Sequence, residues 1–147
     1  MNKEDIEAII RKASVCRLGM LDGDTPYIVP LCFGYREGTL YFHGAVKSRK
    51  YALIQKHPKV GFEFDILAEP LSAGDPCNWD MRYQSVIGFG SAAMVEDTVE
   101  KRQALEIIVS QYSNGPRLFT EQALRATVVI KVAIETMTGK QSGFDPQ

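Results

Sequence analysis

From Ser14 to His43 the chain is a succession of short apolar runs cut by turn-forming residues, and this rhythm constrains the fold more than any other feature. Val15 to Leu21, Tyr27 to Tyr35 and Thr39 to His43 are separated by Asp22-Gly23-Asp24-Thr25-Pro26 and by Arg36-Glu37-Gly38. Runs of this length bounded by Gly, Asp and Pro read as antiparallel hairpins. Pro30 lies inside the second run, where its missing N–H would break a central ladder, so an irregular or unpaired stretch is expected there.

The flanking segments complete the pattern. Asn2 can cap a short helix whose apolar face is Ile6, Ile9, Ile10 and Ala13, and Ser48 to Gln55 reads as a second helix stopped by His57-Pro58. Lys59 to Ile66 alternates as a strand with Val60, Phe62 and Phe64 on one face. Leu67 to Met81 then reads as a loop of about fifteen residues, a length that usually marks a functional or mobile segment. Tyr83 to Val95 is a strand whose Gly88 and Gly90 suggest either a close approach by backbone or ligand, or a bulge. Asp97 and Glu100 open an amphipathic helix carrying Leu105, Ile108, Val109 and Tyr112, stopped by Asn114-Gly115-Pro116. Thr120 to Arg125 can make one further helical turn, and Thr127 to Met137 alternates as a last strand. Six strands joined mostly by short turns, with helices at the periphery, predict a mainly β (α+β) domain over residues 1–147 built on an antiparallel, closed or nearly closed sheet.

Composition narrows the function only by exclusion. At 147 residues, with a formal charge of −1, the chain suits one ordinary globular domain and has no overall basic field for nucleic acid. Cys16, Cys32 and Cys77 are odd in number and far apart, without a zinc-knuckle or redox spacing. No stretch approaches the roughly 20 apolar residues of a membrane span, and the acidic start does not resemble a signal peptide, so a cytoplasmic protein is expected.

Lys47-Ser48-Arg49-Lys50 is the most informative local feature. Cations in the first turn of a helix oppose its dipole at a cost of roughly 0.3–1 kcal/mol each unless an anion offsets them. Free N–H groups, the Ser48 hydroxyl and these cations could hold a phosphate; equally, the segment could be a solvated turn whose cations reach other carboxylates. His43, followed by Gly44, ends a strand close to this point, as a strand-end histidine or a reactive one. Trp79 and Tyr83 could close over a flat ligand, fill a subunit interface or anchor the long loop. No metal-binding His or Cys cluster is present, G-x-S-x-G is absent, and Gly88-Phe89-Gly90 sits inside a strand instead of opening a helix. Metal, hydrolase and dinucleotide-fold readings lose their support.

Taken together, several segments resemble the pyridoxamine 5'-phosphate oxidase-like FMN-binding split barrels. The stretch from Ser48-Arg49-Lys50 to His57-Pro58-Lys59-Val60 is similar to that family's S-R-K…N-P-R-V element. Val15 to Gly19, Pro26 to Tyr35, Leu40 to Ala45, Cys77 to Gly90 and Thr138-Gly139-Lys140 resemble motifs of its nitroimidazole-resistance branch. The resemblance implies a six-stranded split barrel and a homodimer with FMN near the interface. It implies that Lys47, Ser48, Arg49 and Lys50 hold the phosphate, that Val29, Pro30, Leu31 and Cys32 line the ring through backbone groups, and that Ser85 presents a polar side chain to the cofactor. It also places His43 and Gly44 beside the flavin, with Trp79 and Tyr83 as covering aromatics. A C-terminal Trp and Arg segment of true pyridoxamine-phosphate oxidases has no counterpart after Lys140, so vitamin B6 oxidation is not expected. The function implied is an FMN-dependent oxidoreductase passing electrons from NAD(P)H to a small aromatic acceptor such as a nitroimidazole, with His43 as the catalytic group. The alternative is a non-catalytic flavin- or haem-binding carrier or sensor on the same barrel.

Overall fold

The computed structural model describes residues 1–115 and 117–144. It contains seven strands: β1 (Cys16–Asp22), β2 (Thr25–Leu31), β3 (Gly34–Arg36), β4 (Thr39–Ala45), β5 (Lys59–Leu71), β6 (Asp80–Met94) and β7 (Thr127–Ser142). Among the described residues four α-helices accompany them, α1 (Lys3–Lys12), α2 (Arg49–Lys56), α3 (Thr98–Tyr112) and α4 (Glu121–Ala126), with one 3₁₀ turn at Pro76–Asn78. Every pairing is antiparallel, in the order β2-β1-β5-β6-β7-β4-β3. The inward side chains of this one sheet, from Leu18 and Met20 through Phe62, Phe64 and Val86 to Ile130, Leu40 and Phe42, form a single buried cluster. A sheet that shares one core along its whole width must roll on itself. Its two edges, β2 and β3, are consecutive in the chain yet unpaired, which is the split-barrel architecture.

The helix starts follow their capping residues. Asn2 Oδ1 accepts from the Asp5 N–H at 2.9 Å, and Asp97 Oδ2 from the Glu100 N–H at 2.9 Å. Ile6, Ile9 and Ile10 of α1 and Tyr51, Leu53 and Ile54 of α2 belong to the barrel core. On the outer side of β7 and β4, Val129 and Tyr41 pack with Ala104, Leu105, Ile108 and Leu124 in a second cluster. Pro116, expected to help stop α3, lies outside the described residues. Among the described residues no helix is long and apolar enough to cross a membrane.

Three features differ from the sequence reading. The run Tyr27 to Tyr35 is two strands, giving seven instead of six, because the chain breaks at Cys32-Phe33. There Tyr112 Oη accepts from the Phe33 N–H at 3.0 Å and donates to the Ser14 carbonyl at 2.9 Å, so a side chain replaces a strand. Pro30 interrupts nothing: it sits opposite Arg17 in an edge strand, where a missing N–H is tolerated. The segment read as a long loop is mostly a hairpin arm, since β5 continues to Leu71 and β6 begins at Asp80. A register shift between Ile66 and Glu69, with Leu67 at φ 58°, breaks the alternation that would have revealed it.

Gly88 and Gly90 are approached by protein, and a register shift also lies between Phe89 and Gly90. A Cβ on Gly88 would lie 2.2 Å from the Phe62 ring and 2.7 Å from the Thr136 carbonyl oxygen. Gly88→Ala is therefore expected to destabilise the fold by about 1–3 kcal/mol through overpacking. Urea denaturation checks this, and an unchanged midpoint would show that the Phe62 contact does not require glycine.

Candidate functional site

The N-terminus of α2 has an incomplete set of hydrogen bonds. Ser48 occupies the capping position but makes no side-chain capping bond, and its buried Oγ has no hydrogen bond of ordinary geometry among the described residues, although it lies close enough to the Tyr51 hydroxyl to lower that phenol's pKa against the effect of burial. The first N–H groups of any helix lack intrahelical acceptors, so this start combines an orphaned hydroxyl with free donors. No acidic residue occupies the first turn.

Its two cations have different surroundings. Arg49 is ion-paired with Asp22 and stacks over Tyr27, its guanidinium carbon 4.2 Å from the ring centroid. Protein groups thus already explain Arg49, whose guanidinium reaches a carboxylate as in the alternative reading of this turn. Lys50 has no such explanation. It is partly buried, its ammonium 5.2 Å from the Tyr51 ring centroid, and burial holds its pKa below the usual lysine value. Among the described residues no carboxylate pairs with it. Tyr51 donates its Oη hydrogen to the Val128 carbonyl at 3.0 Å, and burial pushes its pKa up to about 12. Gly44 makes room for both: a Cβ there would lie 2.7 Å from Lys50 Nζ and 2.9 Å from Tyr51 Oη. Lys47 is exposed beside this cluster.

His43 precedes Gly44 in β4 and pairs with Val129 in the ladder. Alternation places it on the outside of the barrel, opposite the buried Phe42, and its ring is exposed with no hydrogen bond among the described residues. A strand-end histidine tied to a carbonyl is therefore not what the geometry contains. Val29, Pro30 and Leu31 lie on the edge strand β2, and Cys32 is exposed just beyond it. From Tyr27, under Arg49, to Leu31 this edge runs about 13 Å with one side unpaired.

Trp79, Tyr83 and Ser85 belong elsewhere. The ladders put Asp22, the partner of Arg49, three residues past Gly19 and hence level with Ala92 on β6. From there to Ser85 is about 23 Å along the strand. Ser85 is buried on the outer sheet face between Asp65 and Lys140, Tyr83 lies under the Lys140 ammonium, and Trp79 is exposed on the hairpin arm. The α2 cluster and the Tyr83–Ser85 segment thus lie at opposite ends of the sheet, while the β2 edge runs between the two levels, with Pro30 level with Ile87 but three strands away from it. Sequence reasoning missed Asp22, Tyr27 and Tyr51, whose role appears only when the β1–β2 turn and β4 meet α2. The Asp22-Gly23 pair signalled a turn and nothing about its ion pair.

Comparison with known proteins gives the lineage of this arrangement. The family model for pyridoxamine 5'-phosphate oxidase matches residues 2–141. A candidate 5-nitroimidazole antibiotic resistance protein from Bacteroides thetaiotaomicron is 34% identical, with TM-score 0.84 over 94% of this chain and 82% of that one. An FAD- and haem-binding protein from Mycobacterium smegmatis shares the fold at 20% identity, with TM-score 0.88 over 99% of this chain and 74% of that one. A flavocytochrome from Azotobacter vinelandii does so at 21% identity, with TM-score 0.86 over 99% and 70%. No curated protein sequence matches. Matched across nearly its whole length and similar to a nitroimidazole-resistance protein in both sequence and fold, the chain belongs to the pyridoxamine 5'-phosphate oxidase family.

Proposed function

We propose that this protein is a cytoplasmic, homodimeric FMN-dependent oxidoreductase that uses electrons from NAD(P)H to reduce a small aromatic or nitro-compound acceptor. One observation carries the reading: the buried, unpartnered Ser48 hydroxyl beside the uncompensated Lys50 at a helix start. A phosphate satisfies both groups at once, through the hydroxyl, the free N–H groups and the ammonium. Bound FMN supplies the hydride and electron transfer that no side chain can perform.

The chain's own residues then have distinct tasks. Ser48, Lys50 and the first N–H groups of α2 hold the phosphate, and Arg49 and Lys47 add positive potential. The free edge of β2 offers the backbone groups of Val29, Pro30, Leu31 and Cys32 to the ring. His43, exposed and without a hydrogen bond among the described residues, is free to hold or deliver a proton to a reducing acceptor. The second copy supplies Trp79, Tyr83 and Ser85, which within one chain lie on or beside β6, three strands away from the β2 edge.

The visible spectrum of freshly purified protein, followed by steady-state NAD(P)H oxidation with a nitroaromatic acceptor, tests the reading as a whole. A flavin spectrum with turnover is expected. A haem spectrum, or bound flavin without turnover, would favour the carrier alternative to which the fold's likeness to haem-containing proteins points.

Two variants separate the roles. Ser48→Ala/Lys50→Ala should weaken FMN binding by about 10²–10⁴-fold, the worth of two charge-assisted hydrogen bonds, while apoprotein stability stays level or rises because an unsatisfied hydroxyl is removed. Flavin titration and thermal melts of the apoprotein read the two effects independently; unaltered flavin affinity would remove the phosphate site. His43→Ala should slow acceptor reduction by about 10²–10⁴-fold with flavin occupancy and Tm preserved. Normal turnover in that variant would exclude His43 from the chemistry.

A further inference from the structure

Away from the start of α2, the cleft between α3 and α4 holds cations that the fold leaves unbalanced. It is lined by Thr98, Lys101 and Arg102 of α3 and by Glu121, Leu124 and Arg125 of α4. The buried Leu124, packed with Leu105, Val129 and Tyr41, gives it an apolar floor over β7 and β4. Its place depends on the open sheet, because Tyr112, the last residue of α3, is anchored at the break between β2 and β3. Lysine and arginine are seldom drawn below the surface unless they are paired. In this chain the half-buried ones, among the described residues, are Lys50, Arg82, Lys101, Arg102 and Lys131. Arg82 reaches Glu69 and Lys131 reaches Glu100, whereas Lys50, Lys101 and Arg102 have no carboxylate among the described residues. Lys101 Nζ donates to the Leu124 carbonyl at 3.0 Å and Arg102 Nη1 to the Phe119 carbonyl at 3.1 Å. These bonds fix where the two cations sit, but each uses only one of several donors and cancels no charge. Arg125 pairs with Glu121 at 3.6 Å, a solvent-exposed contact that holds neither side chain firmly. Asp97 and Glu100, nearby, are committed to the helix cap and to Lys131. The lining therefore carries three cations, Lys101, Arg102 and Arg125, against one carboxylate, Glu121.

We propose that this cleft binds a phosphate monoester carried by a small molecule. Such a group brings nearly two negative charges and three strong acceptor oxygens, which matches an excess of two cations. Arg102 can grip two of the oxygens while Lys101 acts as a point charge, and the exposed Thr98 hydroxyl adds a further donor. A lone carboxylate fits less well, because it would leave one positive charge unbalanced. The cleft measures about 270 Å³, below the roughly 300–1,000 Å³ of pockets that enclose a drug-sized ligand. It therefore suits the phosphate and the sugar or short chain next to it. Two sources share this chemistry: a separate phosphorylated small molecule, and the 2'-phosphate that distinguishes NADPH from NADH. Arg125 precedes Thr127 by two residues and Thr127 pairs with Ala45, so chain length alone keeps Arg125 within about 13 Å of the strand end that follows His43. The NADPH source rests on the functional reading above; the site itself does not.

Calorimetric titration in the Ser48→Ala/Lys50→Ala background tests the site, because the phosphate position proposed at α2 is removed there. Inorganic phosphate and adenosine 2'-monophosphate are the probes, with adenosine as the control, at about pH 8 where the monoester is a dianion. Binding of the monophosphate with a Kd of about 1 mM or below, and none of adenosine, is expected. Lys101→Gln/Arg102→Gln should weaken it at least tenfold, while glutamine keeps a donor for the two carbonyls. Thr98→Glu leaves those carbonyl bonds alone. A carboxylate at the first position of α3 favours the helix dipole, so Tm should stay level or rise while affinity falls at least tenfold. Equal binding of adenosine and its monophosphate, unchanged affinity in both folded variants, or no binding of either phosphate at about 10 mM would overturn the inference. The source is read from steady-state kinetics. A KM for NADPH well below that for NADH, with the difference lost in Thr98→Glu, assigns the 2'-phosphate; equal KM values with probe binding intact assign a separate phosphorylated molecule. Both support the cleft. Flavin binding plays no part in the titration, so loss of the functional reading and loss of this site are distinguishable.

Discussion

Everything proposed for this molecule depends on a sheet that rolls around one core but does not close. Seven antiparallel strands share a single buried cluster, yet β2 and β3 stay unpaired although only Cys32 and Phe33 separate them in sequence. Tyr112 holds the break open by bonding the Phe33 N–H and the Ser14 carbonyl. Full closure would bury the edge of β2. An edge left open is a liability unless something covers it, and a ligand or a second subunit is among the few things that can.

The same end of the barrel gathers the polar irregularities. Packing of α2 into the core fixes Tyr51, Leu53 and Ile54 and so determines where the helix begins. That start leaves the Ser48 hydroxyl without a partner and Lys50 partly desolvated against Gly44. Each is unfavourable in isolation, by about 1–3 kcal/mol for an unsatisfied buried group. The Arg49–Asp22 pair does not relieve them, because it is exposed and its guanidinium is committed to the β1–β2 turn. A site that carries its own unsatisfied donors is one in which bound anion and folded protein stabilise each other.

Much of the fold was legible because local chemistry and tertiary structure agree. Asn2, Asp97 and Thr120 cap helices where their spacing to the following apolar face requires, and Glu37-Gly38 turns with both residues at positive φ. The arm was hidden for a physical reason: the bulge at Leu67 shifts the register, so Glu69 to Leu71 no longer continue the alternation of Val60, Phe62 and Phe64. The split between β2 and β3 was hidden because its cause, Tyr112, is about eighty residues away. At the candidate site, Ser48 and Lys50 stood out by their place at a helix start. The environment of Arg49 could not, since it requires a turn and a strand distant in sequence. Nor does any spacing reveal that Ser85 and Lys50 lie at opposite ends of the sheet; only the ladder registers do.

On this reading the start of α2 is a phosphate site for FMN. A crystal structure of the protein grown with FMN tests it most directly. Phosphate density is expected within hydrogen-bond distance of Ser48 Oγ, Lys50 Nζ and the first N–H groups of α2, with the ring along the edge of β2. Flavin density elsewhere, with Ser48 and Lys50 still unpartnered, would contradict it.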